Sequence, residues 1–554
     1  MPDIFKRGLG VLMQRQTNIV SAAYIIMATI IFSQILGVFK MRLLFSIFGA
    51  STTLGIFNYA TILPDTVFQL TLASALTSAF IPVFSEYIAK GDEQSGHKMA
   101  SAFLSIGLII FFILSILLAI FAENVLTIFN LATQFSQEEM TLMANLMRII
   151  LIGQALYIIG AFFTALLQSY NHFFIPGIAA ALYNVGLIIG IILFHQSFGI
   201  YAAPLGIILG GLTFIIFQVP LAKKVGFFFR PSLSYLTSTT VRKILLLTWP
   251  RAVQVAIQQF GTVTLAALIA FMADPGRMNL LFDSAKTLMF APVALIGYSI
   301  AQAAFPVLAK EKDKIEEFKI TFMTSFNQLL YLILPISAII LVLRIPIVRL
   351  AYGADKFDWE ATVLTGQTLA FFSFSIFAQA LIVLLYRAFY ALHNAKIPFI
   401  ASGVSTLLLV ILSYLMVIMN ATDIRGIAIA FSAAGIFQLF ALFIILDYKT
   451  GGFPRKDLFV SMVKFFIVTV STALALYLPI KLLDQLVFDT TRTINLVMLT
   501  GISTIAGLSL YVFLTWLLNI KEATTYLLIL RKIGNWQEIL RKTDTVIEPA
   551  PAKP

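Results

Sequence analysis

Long apolar runs broken by short polar stretches fill almost the whole chain. Runs of spanning length fall at 18–46, 52–86, 99–122, 138–168, 174–195, 199–222, 240–272, 276–308, 317–343, 361–387, 397–419, 425–447, 458–482 and 494–519. A bilayer core takes about 20 helical residues to cross, and each run is long enough. The pattern predicts an all-α polytopic membrane protein with about fourteen transmembrane helices. An even number of spans places both termini on one side.

The polar positions inside these runs carry the interest. The stretch from Ser33 to Phe84 reads as two long helices joined at a Gly-Ala-Ser-Thr turn, with Lys40, Arg42 and Asp65 inside the apolar sequence. A cation in a lipid-spanning helix costs at least ~2.5 kcal/mol, so by default it faces a polar cavity. The alternative is that Lys40 and Arg42 snorkel from a helix end. Gly37 and Pro64 are expected to interrupt the helices, as happens where backbone lines a cavity. Lys286 follows Asp283 by three residues, which suits either a cavity cation or a local pair on one helix face. Asp65 is either a partner for Lys40 or the cap of a broken helix. Arg251 follows Trp249-Pro250 and suggests a helix start or kink. Arg387 fits an anchor at a helix end. Gln34, Gln69, Gln254, Gln258 and Gln259 offer hydrogen bonds within apolar runs, for a substrate or between helices.

The chain repeats itself. Ala79-Phe80-Ile81-Pro82-Val83-Phe84 returns as Ala304-Phe305-Pro306-Val307-Leu308, and the His172 and Pro176 segment returns around His393 and Pro398. Gly199-Ile200 matches Gly426-Ile427, and Gly226-Phe227 matches Gly452-Phe453. The four offsets are 224, 222, 227 and 226 residues. An even helix count per repeat makes the halves parallel repeats about an axis along the membrane normal. The expected organisation is a basic cytoplasmic N-terminus (1–17), an N-lobe (18–225), a C-lobe (239–448) and two additional helices (457–520). Last comes an amphipathic segment and tail (521–554), its apolar face and interspersed cations suited to the cytoplasmic leaflet.

Composition narrows the classes. Of 554 residues 60% are hydrophobic and 12% charged, which excludes an ordinary soluble protein. No cleavable signal peptide is expected, because the first apolar run is itself of spanning length. With no cysteine, disulfides and thiolate metal sites are excluded. The four histidines lack ligand spacing, and no P-loop or nucleophile elbow points to an enzyme. A net charge of +12 fits cytoplasmic loops facing anionic lipid better than nucleic acid. Counted over alternate loops, 25 Lys and Arg lie on the side of the termini and 7 on the other. Both termini are therefore expected in the cytoplasm.

Five segments stand out: Ser33-Gln34-Ile35-Leu36-Gly37, Phe80-Ile81-Pro82-Val83-Phe84-Ser85-Glu86, Leu167-Gln168-Ser169-Tyr170, Pro250-Arg251-Ala252 and Arg387-Ala388-Phe389-Tyr390-Ala391. With them the chain resembles the MurJ (MviN) family of lipid II flippases, within the superfamily of multidrug, oligosaccharidyl-lipid and polysaccharide exporters. The resemblance runs from about Asn18 to Tyr448. It implies a cavity between two lobes, a cation-rich centre for a diphosphate, and a lipid-tail groove beside the last two helices. The family's first helix typically reads SRxxGxxRD; here those polar places hold Gln34, Lys40 and Met41, and Arg42 lies one residue on. The family's Ala-Asp-Arg becomes Ala285-Lys286-Thr287.

The resemblance implies a bacterial plasma-membrane flippase, a monomer without cofactor, acting on the undecaprenyl-diphosphate-linked peptidoglycan precursor. Its cavity residues would be Lys40, Arg42, Lys286, Gln34, Asp65, Asp283 and Arg251, with a coupling cation or the membrane potential as driving force. Export of another lipid-linked glycan or hydrophobic solute, and a transport-dead scaffold in cell-wall assembly, are the alternatives. The topology has a direct check in this cysteine-free chain. Thr133→Cys should label from outside the cell, whereas Ser95→Cys and Ser232→Cys should not; outside labelling at Ser232→Cys would invert the topology.

Overall fold

The computed structural model describes residues 19–73, 75–232, 239–419, 423–486 and 493–523. The expected N-terminal segment and nearly all of the amphipathic C-terminal segment lie outside them. Among the described residues the regular elements are helices, and there is no strand.

Among the described residues eleven helical stretches are long and apolar enough to cross a membrane, or twelve if the bent pair Trp359–Ser373 and Ile376–Ala391 is one span. Length and composition therefore give fewer spans than the fourteen expected. Two places account for much of the difference. The stretch from Phe174 to Lys224 counts once but contains Phe174–Phe198 and Ala202–Lys224, joined by a 3-10 turn at Gly199–Tyr201. The second apolar run is divided into Thr52–Phe68, π turns at Gln69–Ala73 and Leu76–Phe80, and Ile81–Ala89.

The turn between the first two helices forms as its residues dictate. Ile19–Phe48 ends at Gly49, whose φ of +73° suits a residue without a Cβ. Ser51 then caps Thr52–Phe68, its side chain accepting from the Leu54 amide at 3.3 Å. Gly37 does not interrupt its helix, which is continuous across it. A single glycine costs a helix only ~1 kcal/mol against alanine, and no heavy atom lies within 4 Å of where its Cβ would be. Likewise the helix runs unbroken over Thr239–Ile269, so no helix starts at Pro250. Pro64 lies inside a helix that continues to Phe68, and the π turns follow it.

The chain divides into two compact units. The first comprises 1–291, 347–375 and 395–438; the second comprises 292–346, 376–394 and 439–554. Small residues set the packing of the first. A Cβ on Gly190 would lie 2.5 Å from Gly206 Cα, and one on Gly160 would strike the Phe214 ring. Phe174–Phe198, Ala202–Lys224 and Gln137–Ser169 thus approach backbone to side chain. Lipid tails are as apolar as the helices, so close contact rather than the hydrophobic effect holds such helices together. Gln218, fully buried, donates to the Gly160 carbonyl at 3.0 Å and accepts from Thr164 at 3.0 Å.

In the second unit Arg455–Leu486 packs on Thr493–Leu517, with Gly507 seated against Leu476. Tyr511 Oη donates to the Tyr331 carbonyl at 2.8 Å, tying this pair to Ile315–Val342. Phe322, Phe443 and Phe453 stack beside them. Outward-facing apolar side chains such as Ile113, Ile116, Ile120, Phe459 and Phe466 are more than half exposed, as a lipid-facing belt requires.

The glycine packing gives a stability prediction. Gly190→Ile should destabilise the protein in detergent by about 1–3 kcal/mol through overpacking. An unchanged thermal midpoint would show that the two helices do not approach there.

Candidate functional site

Most of the polar residues singled out in the apolar runs fall within the first unit, and several converge. Asp65 is solvent-accessible although helices surround it, which is the signature of a residue lining an open cavity. Its carboxylate accepts from Gln154, a buried side chain on Gln137–Ser169. Lys40, Asp283, Tyr157 and Tyr183 all lie within electrostatic reach of it. Asp65 therefore meets groups from four other helices.

A second cluster adjoins the first. Lys286 Nζ is 3.9 Å from Asp283 Oδ1, both on Pro275–Pro292, and both side chains remain partly exposed. This is the local pair that an i, i+3 spacing allows. Asp283 Oδ2 also accepts from Asn58 Nδ2 at 3.3 Å, and Asn58 Oδ1 accepts from Asn279 Nδ2 at 2.5 Å. Asn58 thereby bridges Thr52–Phe68 to Pro275–Pro292.

Arg42 is held otherwise. Its Nη1 donates to the Leu350 carbonyl at 3.3 Å, in the last turn of Arg344–Tyr352. Carbonyls in that turn have no intrahelical partner, so a cation there satisfies one and complements the helix dipole. Close by, Lys356 donates to the Ile47 carbonyl at 2.7 Å, and Phe45 meets Tyr352 and Phe357 edge-on. Gln34 is exposed on the first helix. Arg251 Nη1 donates to Gln254 Oε1 at 2.9 Å one turn along its own helix, and the buried Gln254 Nε2 has no partner among the described residues.

The second unit holds the remaining features. Arg387 donates to Gln302 at 3.1 Å and sits over the Phe305 ring at 5.4 Å, a packing role. Leu508, Ser509, Val512, Phe513 and Trp516 line an open apolar groove of about 530 Å³ on the last long helix.

Gln154, Asn58 and Asn279 were not legible as site residues. A lone amide in an apolar run is the only signal they give, and most such amides join helices.

A protein of many membrane-length helices, with ionised and amide side chains gathered among the helices of its first unit, has the form of a membrane transporter. Known structures share the fold. A lipid II flippase MurJ in an inward closed conformation matches 88% of this chain and 98% of its own, with TM-score 0.71 and 21% identity. An inward-facing multidrug-resistance MATE transporter matches 76% of this chain and 94% of its own, with TM-score 0.65 and 13% identity.

Sequence comparison gives the family. The family model described as "Lipid II flippase MurJ" matches residues 44–499, and the chain belongs to that family. A Borreliella burgdorferi "Probable lipid II flippase MurJ" is 25% identical over 402 residues, covering 70% of this chain and 76% of its own. The Thermotoga maritima protein of the same description is 26% identical over 408 residues, covering 73% and 80%.

The geometry sets an expectation for Lys40 and Lys286. Lys40→Ala or Lys286→Ala should weaken binding of a lipid diphosphate by about 1.5–3 kcal/mol, the range for hydrogen bonds to charged groups. Lys40→Arg should bind at least as well as the parent, since guanidinium adds a bidentate fork. Full binding by both alanine variants would make these lysines structural.

Proposed function

We propose that this protein flips the undecaprenyl-diphosphate-linked peptidoglycan precursor, lipid II, from the cytoplasmic to the periplasmic leaflet by alternating access. The observation that supports this reading is the Lys286–Asp283 pair within long apolar helices, with Lys40 in electrostatic reach of Asp65, in a chain of the MurJ family. Charges so costly to bury are retained where a charged substrate must pass. Asp283 balances Lys286 at 3.9 Å, and a diphosphate would compete for that lysine as the stronger anion. Arg42 braces the neighbouring helix end, Gln34 and Arg251 border the passage, and the groove around Trp516 suits the lipid tail.

On this reading residues 18–225 and 239–448 act as the two lobes, with 457–520 beside them. Both termini lie in the cytoplasm, the protein works as a monomer in the bacterial plasma membrane, and it makes or breaks no covalent bond. A coupling cation or the membrane potential supplies the drive. One observation favours a second reading, export of a different lipid-linked glycan: lysine and glutamine stand where the family pattern has arginine.

The test is twofold. The gene should complement a strain depleted of its own flippase, with lipid II becoming accessible at the outer leaflet. The purified protein should bind a polyprenyl diphosphate in preference to a hydrophobic cation, and less tightly at high salt. At an effective dielectric near 20, unit charges at 4 Å interact by roughly 4 kcal/mol before desolvation, so the sign of the cavity charge decides the preference. Preferential binding of the cation, or salt-independent diphosphate binding, would overturn the reading.

A further inference from the structure

The segment that follows Ala202–Lys224 does not leave the protein. Gly226, at φ +81°, ends the helix, and the Phe227 amide donates back to the Ala222 carbonyl at 3.0 Å. Phe227 is then buried, its ring 5.6 Å from those of His97 and Phe162 and 6.2 Å from that of Phe163. From this nest the chain climbs along the helix Glu93–Ile120. The Arg230 amide donates to Ser101 Oγ at 3.3 Å, and the Ser232 amide to Ser105 Oγ at 3.2 Å. The eight residues from His97 to Ser105 rise about 12 Å.

The two serines answer a need. The apolar run of this helix begins at residue 99, so the strap lies against its first turns, where an unpaired amide would face hydrocarbon. Four helical residues rise about 6 Å, close to the ~6.6 Å that two extended residues advance, so serines one turn apart meet alternate amides. Both serines are buried, and the Ser105 hydroxyl also donates to the Ser101 carbonyl at 2.8 Å.

The outward side of the strap is of another kind. Phe228 and Phe229 are 59% and 41% exposed, and Arg230 is exposed beside them. Lys98, three residues before Ser101 on the same helix face, is exposed, as are Lys223 and Lys224 at the end of Ala202–Lys224. Among the described residues these four cations form no salt bridge. The acids at the foot of the helix are engaged elsewhere: Asp92 caps it, accepting from the Ser95 amide at 3.2 Å, and Glu93 lies in electrostatic reach of His97. Rings toward hydrocarbon with cations alongside are the arrangement of a segment that lies in a membrane interface.

We propose that the strap 226–232 and the foot of Glu93–Ile120 form a binding site for an anionic phospholipid, Arg230 and Lys98 holding its phosphate and Phe228 and Phe229 lying against its acyl chains. Arginine suits the role because its planar fork meets two phosphate oxygens at once. Pinning the strap by its own amides fixes that fork without drawing on the side chain. The inference takes from the proposed orientation only the leaflet, which is the cytoplasmic one; the site itself rests on the strap.

Because the chain has no cysteine, one reporter can be placed on the strap. In Phe229→Cys carrying bimane, reconstituted in nanodiscs, brominated phosphatidylglycerol should quench more than brominated phosphatidylethanolamine at the same mole fraction. Adding Arg230→Gln should lower that preference about fivefold, the loss expected for one surface cation facing anionic lipid. Arg230→Lys should keep most of it, and so should Lys456→Gln, which removes an exposed cation of the second unit. Equal quenching by the two lipids, or a preference undiminished in Arg230→Gln, would overturn the site. A preference lost as fully in Lys456→Gln would reduce it to diffuse charge and overturn it as well. Loss of the preference to inorganic phosphate at matched ionic strength would assign the cations to a free anion instead. The readout needs no transport, so a protein that shows this preference yet never flips lipid II would count against the flippase reading and leave the lipid site standing.

Discussion

A charge or a bare polar group at membrane depth must find a partner inside the protein, because hydrocarbon offers none. This constraint shapes the first unit. The Asp65 carboxylate takes Gln154, Asp283 takes Asn58, and Arg42 takes the end of a neighbouring helix. Most of these partners come from a different helix. The pairing that makes a polar cavity tolerable therefore also cross-braces the helices around it.

Elsewhere the same absence of water removes the usual drive for helices to associate, and small residues take over. Gly190 against Gly206, Gly160 against Phe214 and Gly507 against Leu476 show close approach in both units. Polar glue is sparse and placed where backbones meet: Gln218 on the Gly160 carbonyl, Tyr511 on that of Tyr331. Rigid, glycine-packed hairpins thus stand beside a few bonds that water could replace, a division of labour suited to bodies that move as units.

The helical architecture was legible because spanning length and hydropathy are dictated by the bilayer, and the Gly49 turn with its Ser51 cap followed from local chemistry. Local breaks were harder to read. Gly37 and Pro250 lie in continuous helices, an isolated glycine costing a helix only about 1 kcal/mol against alanine. Of the site, the charges announced themselves by cost, and the i, i+3 spacing foretold the Asp283–Lys286 pair. Nothing in one sequence told that Arg42 would turn to a carbonyl 308 residues away, or that Asn58 would meet Asn279. Those contacts depend on how the repeats dock, which periodicity does not encode.

The ion pair of Lys286 with Asp283 has an electrical consequence. An ion pair carries no net charge, so a transmembrane field does little work on it when the helix that bears it moves. A diphosphate changes that balance. Each elementary charge moved through the field is worth about 2.3 kcal/mol per 100 mV, and a negative interior pushes an anion outward. A field therefore acts on a step that carries a bound anion far more than on a step that carries the ion pair alone.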